Sequence, residues 1–261
     1  MAILFDLDGV FYQGDNSLPG GREVVNWANE AGIPYLFLTN TTSKPRQDLV
    51  DKLKGFGIRT DVDRILTPAV VAARWCEEQL PGGAVALFVP DSTASEFSAL
   101  PITDEGDVVA AVIVGDLGES WDFHRLNDAF RLLMTPQKPK LIALGMTRYW
   151  QAADGLRLDV APFVVALAHA TGIEPLVTGK PDPAFFASAL SLLAAEVSQT
   201  VMVGDDVRGD VAGAQDAGLQ AVLVQTGKYR ESDLSSGIVP DGVLATLDEL
   251  PSWYERRFGS A

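Results

Sequence analysis

The sequence predicts an α/β protein: a parallel-sheet core interrupted by a smaller inserted α/β domain. Apolar runs of strand length alternate with helical patterns at both ends of the chain, which implies a parallel sheet covered on both faces. About 140 residues separate Thr39 from Lys180, whereas one strand-helix-strand crossover takes roughly 30. The surplus is the size of a small domain. The reading is therefore a core over residues 1–80 and 175–261, with an insert over 81–174.

The elements follow in order. Ile3, Leu4 and Phe5 form a buried strand that runs straight into Asp6 and Asp8. Gly20–Ala31 reads as a helix with Val24, Val25 and Ala28 inward and Gly32 as its stop. "PYLFLTN" is a second buried strand, ending in Thr39 and Asn40. "SKPRQDLVDKLKGFG" is a helix with Pro45 in its first turn and a stripe of Leu49, Val50 and Leu53. "LTPAVVAARWCEEQL" is another, with Thr67 as N-cap and Pro68 at the first helical position. The insert carries the strands "AVALFVP", "VVAAVIVG" and "LIALG", with helices near Trp121–Met134 and Pro162–Ala170. The core resumes with a helix over Ala184–Leu193, the strand "TVMVGDD", a helix over Asp210–Ala217 and the strand "QAVLVQTG".

Composition narrows the function. The formal net charge is −15, so the surface field repels nucleic acid and anionic membranes. An anionic substrate then needs a local positive site. Cys76 is the single cysteine, which rules out an intrachain disulfide and fits a reducing, cytoplasmic setting. No apolar stretch is long enough to span a bilayer, and the early aspartates interrupt any signal peptide.

Four groups of polar residues fall at strand ends of one sheet or just beyond: Asp6 and Asp8, Thr39 and Asn40, Lys180, and Asp205 with Asp206. In open α/β sheets the chemistry sits at that edge. Two carboxylates ~4 Å apart at an effective dielectric near 20 repel by about 4 kcal/mol, which a bound cation would offset. Hard oxygen ligands with no histidine or cysteine beside them favour Mg²⁺ over zinc. Beside such an ion Asp6 can act as nucleophile toward phosphorus. Asp8 can protonate the leaving oxygen and later activate water. The Thr39 hydroxyl, the amides of Asn40 and Thr41, and the Lys180 ammonium offer a phosphate cradle, and Asp205 completes the metal site.

"FDLDGV", "LTN", "GKPDP" and "VGDDVRGD", in that order, resemble the four motifs of the haloacid dehalogenase-like hydrolase superfamily. The resemblance implies a Rossmann-like core with an inserted cap. It implies Asp6 as nucleophile and Asp8 as acid/base, with Thr39 and Lys180 on phosphate. It assigns Asp6, the Asp8 carbonyl and Asp205 to Mg²⁺, with Asp210 supporting the metal site from behind. An insert between the second and third motifs looks like the type-2 cap of subfamily IIA. "TNTTSKPRQDLVDKL", "DGLRLDVAPFVVAL" and "GDDVRGDVAGAQDAG" are similar to the phospholysine, phosphohistidine and inorganic pyrophosphate phosphatase group. The expected activity is a Mg²⁺-dependent phosphatase working through an aspartyl-phosphate on small phosphorylated molecules, with pyrophosphate and P–N bonds within its range. Relatives commonly pair through the cap, so a homodimer of that kind is expected as well. Substrate contacts are expected in the cap loop "LGMTRYWQAADG", where Gly145 presents no side chain.

Several polar residues have plainer readings. Asp206 reads as a loop or helix-entry acid, Asp91 and Asp116 as turn residues, and His124 and His169 as helix-surface residues. Tyr149 and Trp150 suit either a site-closing role or an interface. Two rival functions use the same groups. A phospho-accepting receiver also gathers acids, a threonine and a lysine on a parallel sheet, but lacks the insert and the i, i+2 acidic pair. A sugar phosphotransferase of this superfamily carries its cap between the first two motifs, where about 33 residues leave no room.

Overall fold

The computed structural model describes residues 1–105, 108–152 and 154–259, with Gln151 and Ala152 described by backbone alone. The elements begin with β1 (Ala2–Asp6), β2 (Tyr12–Gln13), β3 (Asn16–Ser17), α1 (Gly21–Glu30), β4 (Tyr35–Leu38), α2 (Arg46–Gly55) and β5 (Ile65–Leu66). Next come α3 (Pro68–Gln79), β6 (Ala84–Phe88), α4 (Asp91–Ala94), β7 (Val109–Val114), α5 (Phe123–Leu133), β8 (Lys140–Ala143), β9 (Tyr149–Ala152), β10 (Gly155–Leu158), α6 (Ala161–Thr171) and β11 (Leu176–Val177). The chain ends with α7 (Pro183–Leu193), β12 (Thr200–Gly204), α8 (Gly213–Asp216), β13 (Gln220–Val224), β14 (Gly242–Leu244) and α9 (Leu250–Phe258). The chain divides into two units. One comprises Met1–Thr39, Arg46–Leu66 and the chain from Lys180 onward, the other Asn40–Pro45 and Thr67–Gly179.

In the first unit six strands form a sheet in the order β14-β13-β12-β1-β4-β5, every pair parallel. All five residues of β1 and of β12 are buried, as strands covered on both faces require. On one face Ile3 and Phe5 pack with Val201, Val203, Val24, Ala28, Leu49 and Leu53. Phe5 meets Phe11 edge-on at 5.4 Å, and Phe11 meets Phe37 at 5.1 Å. Truncating a fully buried phenylalanine such as Phe5 costs about 3–5 kcal/mol. β1 is where the strand order reverses. The chain builds outward from it to β4 and β5, then returns on the other side with β12, β13 and β14. Such a reversal opens a crevice at the carboxyl ends of the central strands. The register pairs Phe5 with Val203 and Asp6 with Leu38, so Asp6, Thr39 and Asp205 all come to that edge.

The second unit has a parallel sheet ordered β11-β8-β7-β6 and an antiparallel β9-β10 hairpin. Helices α5 and α6 cover one face through Ala129, Leu132, Leu133, Val164 and Leu167. Helix α3 covers the other, with Ala69, Ala72 and Cys76 against Val85, Ile113 and Ile142. The sequence places α3 with the 1–80 segment; in the structure it belongs to the second unit, whose longer stretch runs over Thr67–Gly179. Thr67 caps α3 as expected, its side chain accepting from the Val70 amide at 3.4 Å. The β9-β10 hairpin was not expected, because Leu156 and Leu158 are exposed and leave no buried stripe to read. Ala153, within the loop where substrate contacts are expected, lies outside the described residues. Among the described residues no helix is long and apolar enough to cross a membrane.

Candidate active site

Three carboxylates and one ammonium meet at the carboxyl end of β1. Lys180 is buried, and its Nζ lies 2.5 Å from Asp6 Oδ1 and 2.6 Å from Asp210 Oδ1. Asp205 follows β12, and one carboxylate oxygen each of Asp6, Asp205 and Asp210 fall within 4.8 Å of one another. All three acids are buried. Burying like charges together is costly unless cations or protons share the site.

The local sequence explains how each group arrives. Asp6 is the last residue of β1, and Gly9 turns the chain with a left-handed φ of 90°. A side chain at position 9 would collide with the Asp205 carboxylate, so glycine there is what admits Asp205. Lys180 precedes Pro181 in a cis peptide, just ahead of α7, whose Ala184 amide donates to the Asp182 side chain at 2.9 Å. After β12 the chain makes a π-helical turn over Val207–Ala212 before α8. The sequence predicted a single helix over Asp210–Ala217. The wider turn arises because Asp206 takes up the Arg208 and Gly209 amides at 3.0 and 2.9 Å. It leaves Asp210 facing Lys180, with Asp210 Oδ2 accepting from the Asp206 amide at 3.1 Å.

Electrostatics follow from the packing. Burial, then the Asp6 and Asp210 charges, push the Asp205 carboxyl up to about 8. Burial raises Asp210 to about 6, with Lys180 opposing and Asp6 adding to the rise. Burial alone would lower the Lys180 ammonium, but Asp210 and Asp6 hold it above its ordinary value. Asp205 Oδ2 accepts from the Lys228 amide at 2.6 Å, whereas its buried Oδ1 has no hydrogen-bond partner among the described residues. An orphaned carboxylate oxygen beside two further carboxylates suits a hard divalent cation.

This predicts a pH effect. Asp205 binds its proton more tightly folded than unfolded, so its contribution to stability is present at low pH and lost as pH rises through about 8. Between pH 6 and 8 this loss should lower Tm. In EDTA the protein should melt higher at pH 6 than at pH 8. A divalent cation, replacing the proton, should stabilise more at pH 8. A flat or inverted Tm profile in EDTA would refute the assignment of Asp205.

The other expected site residues fall as follows. Asp8 is exposed just past β1, and its backbone bridges to Tyr12. Thr39 is buried directly after β4, with its amide on the Leu66 carbonyl at 3.2 Å. Asn40 and Thr41, both half-buried, belong to the second unit. Asp206 is the cap of its turn, Asp116 accepts from the Gly118 amide at 2.8 Å, and Asp91 opens α4. His124 and His169 are exposed on α5 and α6, and Tyr149 and Trp150 are exposed on β9. The sequence reading missed the segment after β13, whose Lys228 amide holds Asp205. A glycine at a strand's carboxyl end was its one visible signal.

A fold and site of this kind define a doubly wound α/β protein with an acid-lysine cluster at the switch point of its sheet. A family model described as haloacid dehalogenase-like hydrolase matches residues 3–103, and a HAD-hydrolase-like model matches residues 177–250. The human phospholysine phosphohistidine inorganic pyrophosphate phosphatase is 38% identical over 235 residues, covering 88% of this chain and 85% of that protein. The cattle haloacid dehalogenase-like hydrolase domain-containing protein 2 is 39% identical over 232 residues, covering 89% and 86%. Among solved structures, the p-nitrophenyl phosphatase of Archaeoglobus fulgidus superposes with a TM-score of 0.88 at 27% identity, covering 95% of this chain and 97% of that one. The chain belongs to the haloacid dehalogenase-like hydrolases, subfamily IIA, and is an enzyme of the phosphatase class.

Proposed function

We propose that the protein is a Mg²⁺-dependent phosphatase that hydrolyses small phosphorylated molecules through an aspartyl-phosphate on Asp6. The observation that carries this reading is the Lys180 ammonium bridging Asp6 and Asp210 beside Asp205. Asp6, the Asp8 carbonyl and Asp205 would hold the ion, and Asp210 would support it through Lys180. Bound there, the ion supplies positive charge that offsets the repulsion between Asp6 and a phosphate dianion.

In this reading an Asp6 oxygen attacks phosphorus as the bond to the leaving oxygen breaks, and Asp8 gives that oxygen its proton. Asp8 then takes a proton from water, which attacks phosphorus and returns Asp6 and free phosphate. The exposure of Asp8 suits a group that must exchange protons with both substrate and water. Lys180, Thr39 and the amides of Asn40 and Thr41 bind the phosphate oxygens. The second unit serves as the cap that selects substrates. The relatives' names make pyrophosphate and P–N phosphates candidates to test. The charge of −15 argues for neither nucleic acid nor membrane as partner, and the single buried cysteine fits the cytoplasm. A homodimer through the cap belongs to the same proposal.

The test is a panel of small phosphate esters, pyrophosphate, phospholysine and phosphohistidine, assayed with MgCl₂ or CaCl₂. Hydrolysis is expected with Mg²⁺ and not with Ca²⁺. Ca²⁺ takes 6–8 oxygens at longer distance and would engage both oxygens of Asp6, whereas Mg²⁺ demands six at ~2.0–2.1 Å. Borohydride added during turnover should convert Asp6 to homoserine. A phosphorylated Asp6 that persists without turnover would instead support a receiver. Equal rates with both ions would remove the argument for the metal.

A further inference from the structure

We infer that the loop after β13, Thr226-Gly227-Lys228, is a positioning clamp for the metal site, holding Asp205 so that one of its oxygens is kept for the cation. This rests on the proposed reading of Asp6 and Asp205 as metal ligands. The loop lies in none of the four motifs, yet it ties together the ends of three strands. Thr226 Oγ1 donates to the Gly9 carbonyl at 2.5 Å, joining the loop after β13 to the loop after β1 that carries Asp8. Two residues on, the Lys228 amide donates to Asp205 Oδ2 at 2.6 Å.

A carboxylate on a strand end is free to rotate about its last bond. Once a cation has replaced the Asp205 proton, an amide hydrogen bond to its ionised oxygen is of the strong, charge-assisted kind. With Oδ2 fixed, Oδ1 is left buried and unpartnered. That division of labour between the two oxygens is what a metal ligand needs, because outer partners orient the donor atom.

The glycines show that the fit is built. Gly227 has a left-handed φ of 55°, and a side chain there would overlap both the Asp205 carboxylate and the Gly9 backbone. Gly9 closes on the same carboxylate oxygen. Two glycines from separate loops thus close on one carboxylate, and the Thr226 hydroxyl locks them together. The Lys228 side chain is exposed and pairs with Asp206 at 3.2 Å, so its main-chain amide, not its ammonium, is what holds Asp205.

Thr226→Val keeps the shape of the side chain and removes the hydroxyl. MgCl₂ titrated into the metal-free protein by calorimetry should show affinity about 10–100-fold weaker than wild type. Thr226→Ser should recover affinity to within about threefold. In assays, the Mg²⁺ concentration for half-maximal rate should rise while substrate KM at saturating Mg²⁺ stays within about twofold. A purely structural role would lower Tm without this split. If Thr226→Val is too unstable to titrate, Lys228→Pro, which deletes the amide donor together with the side chain that pairs with Asp206, is measured beside Lys228→Ala, which deletes the side chain alone; only the proline variant should weaken Mg²⁺ binding. Wild-type affinity in the folded variant, or no rescue by serine, overturns the clamp while leaving the metal site standing. Absence of Mg²⁺ binding by the wild type itself overturns the metal reading and the clamp with it.

Discussion

Asp6→Asn is expected to fold as the wild type does and to lose at least ~10³-fold in turnover. The amide has the same shape as the carboxylate, and its oxygen can still accept from Lys180 Nζ, which lies 2.5 Å from Asp6 Oδ1. What it lacks is an anionic oxygen able to form the acyl-phosphate. The substitution also removes one of three clustered acids, easing repulsion with Asp205 and Asp210 while weakening the pair with Lys180. These effects oppose each other, so Tm should move by no more than ~5 °C. Turnover of the best substrate, measured beside a melting curve, checks both halves. Residual activity of a tenth of wild type would remove Asp6 as nucleophile.

Much of this site was legible because its side chains follow apolar runs. Asp6 after "AILF", Thr39 after "YLFL" and Asp205 after "TVMVG" are polar residues at the ends of buried strands, a contrast that one sequence displays plainly. Parallel pairing then brings them to one edge. Helix α3 was harder to place. Its apolar stripe fits a sheet face without saying which sheet, and a reading by chain proximity assigned it to the wrong neighbour. The Asp210-Lys180 pair depends on a π-helical turn that Asp206 sets through two backbone amides, a geometry with no periodic trace. Least legible was the loop at Thr226. Its partner, Gly9, lies 217 residues away, and its contact with Asp205 uses a main-chain amide that any residue but proline carries.

Lys180→Met is expected to cost the metal-free protein about 3–5 kcal/mol and to abolish activity. The ammonium is the one buried cation that touches both Asp6 and Asp210 among the described residues, and methionine fills its space without its charge. Two buried carboxylates then face each other uncompensated, with Asp205 alongside. In a chain of this size the loss corresponds to a fall of roughly 10 °C in Tm. The pH dependence has a definite sign. Lys180 opposes the rise of the Asp210 carboxyl, so removing it should raise that group beyond about 6. A carboxyl raised on folding stabilises most when protonated, so the deficit of the variant should shrink as pH falls from 8 toward 5. A divalent cation should also recover part of the loss, since it brings positive charge to the same acids. A Lys180→Met protein that melted like the wild type at pH 8 in EDTA would mean that the ion pair is not holding this cluster together. A deficit that grew on acidification would mean that the acids around it are not the ones taking up protons.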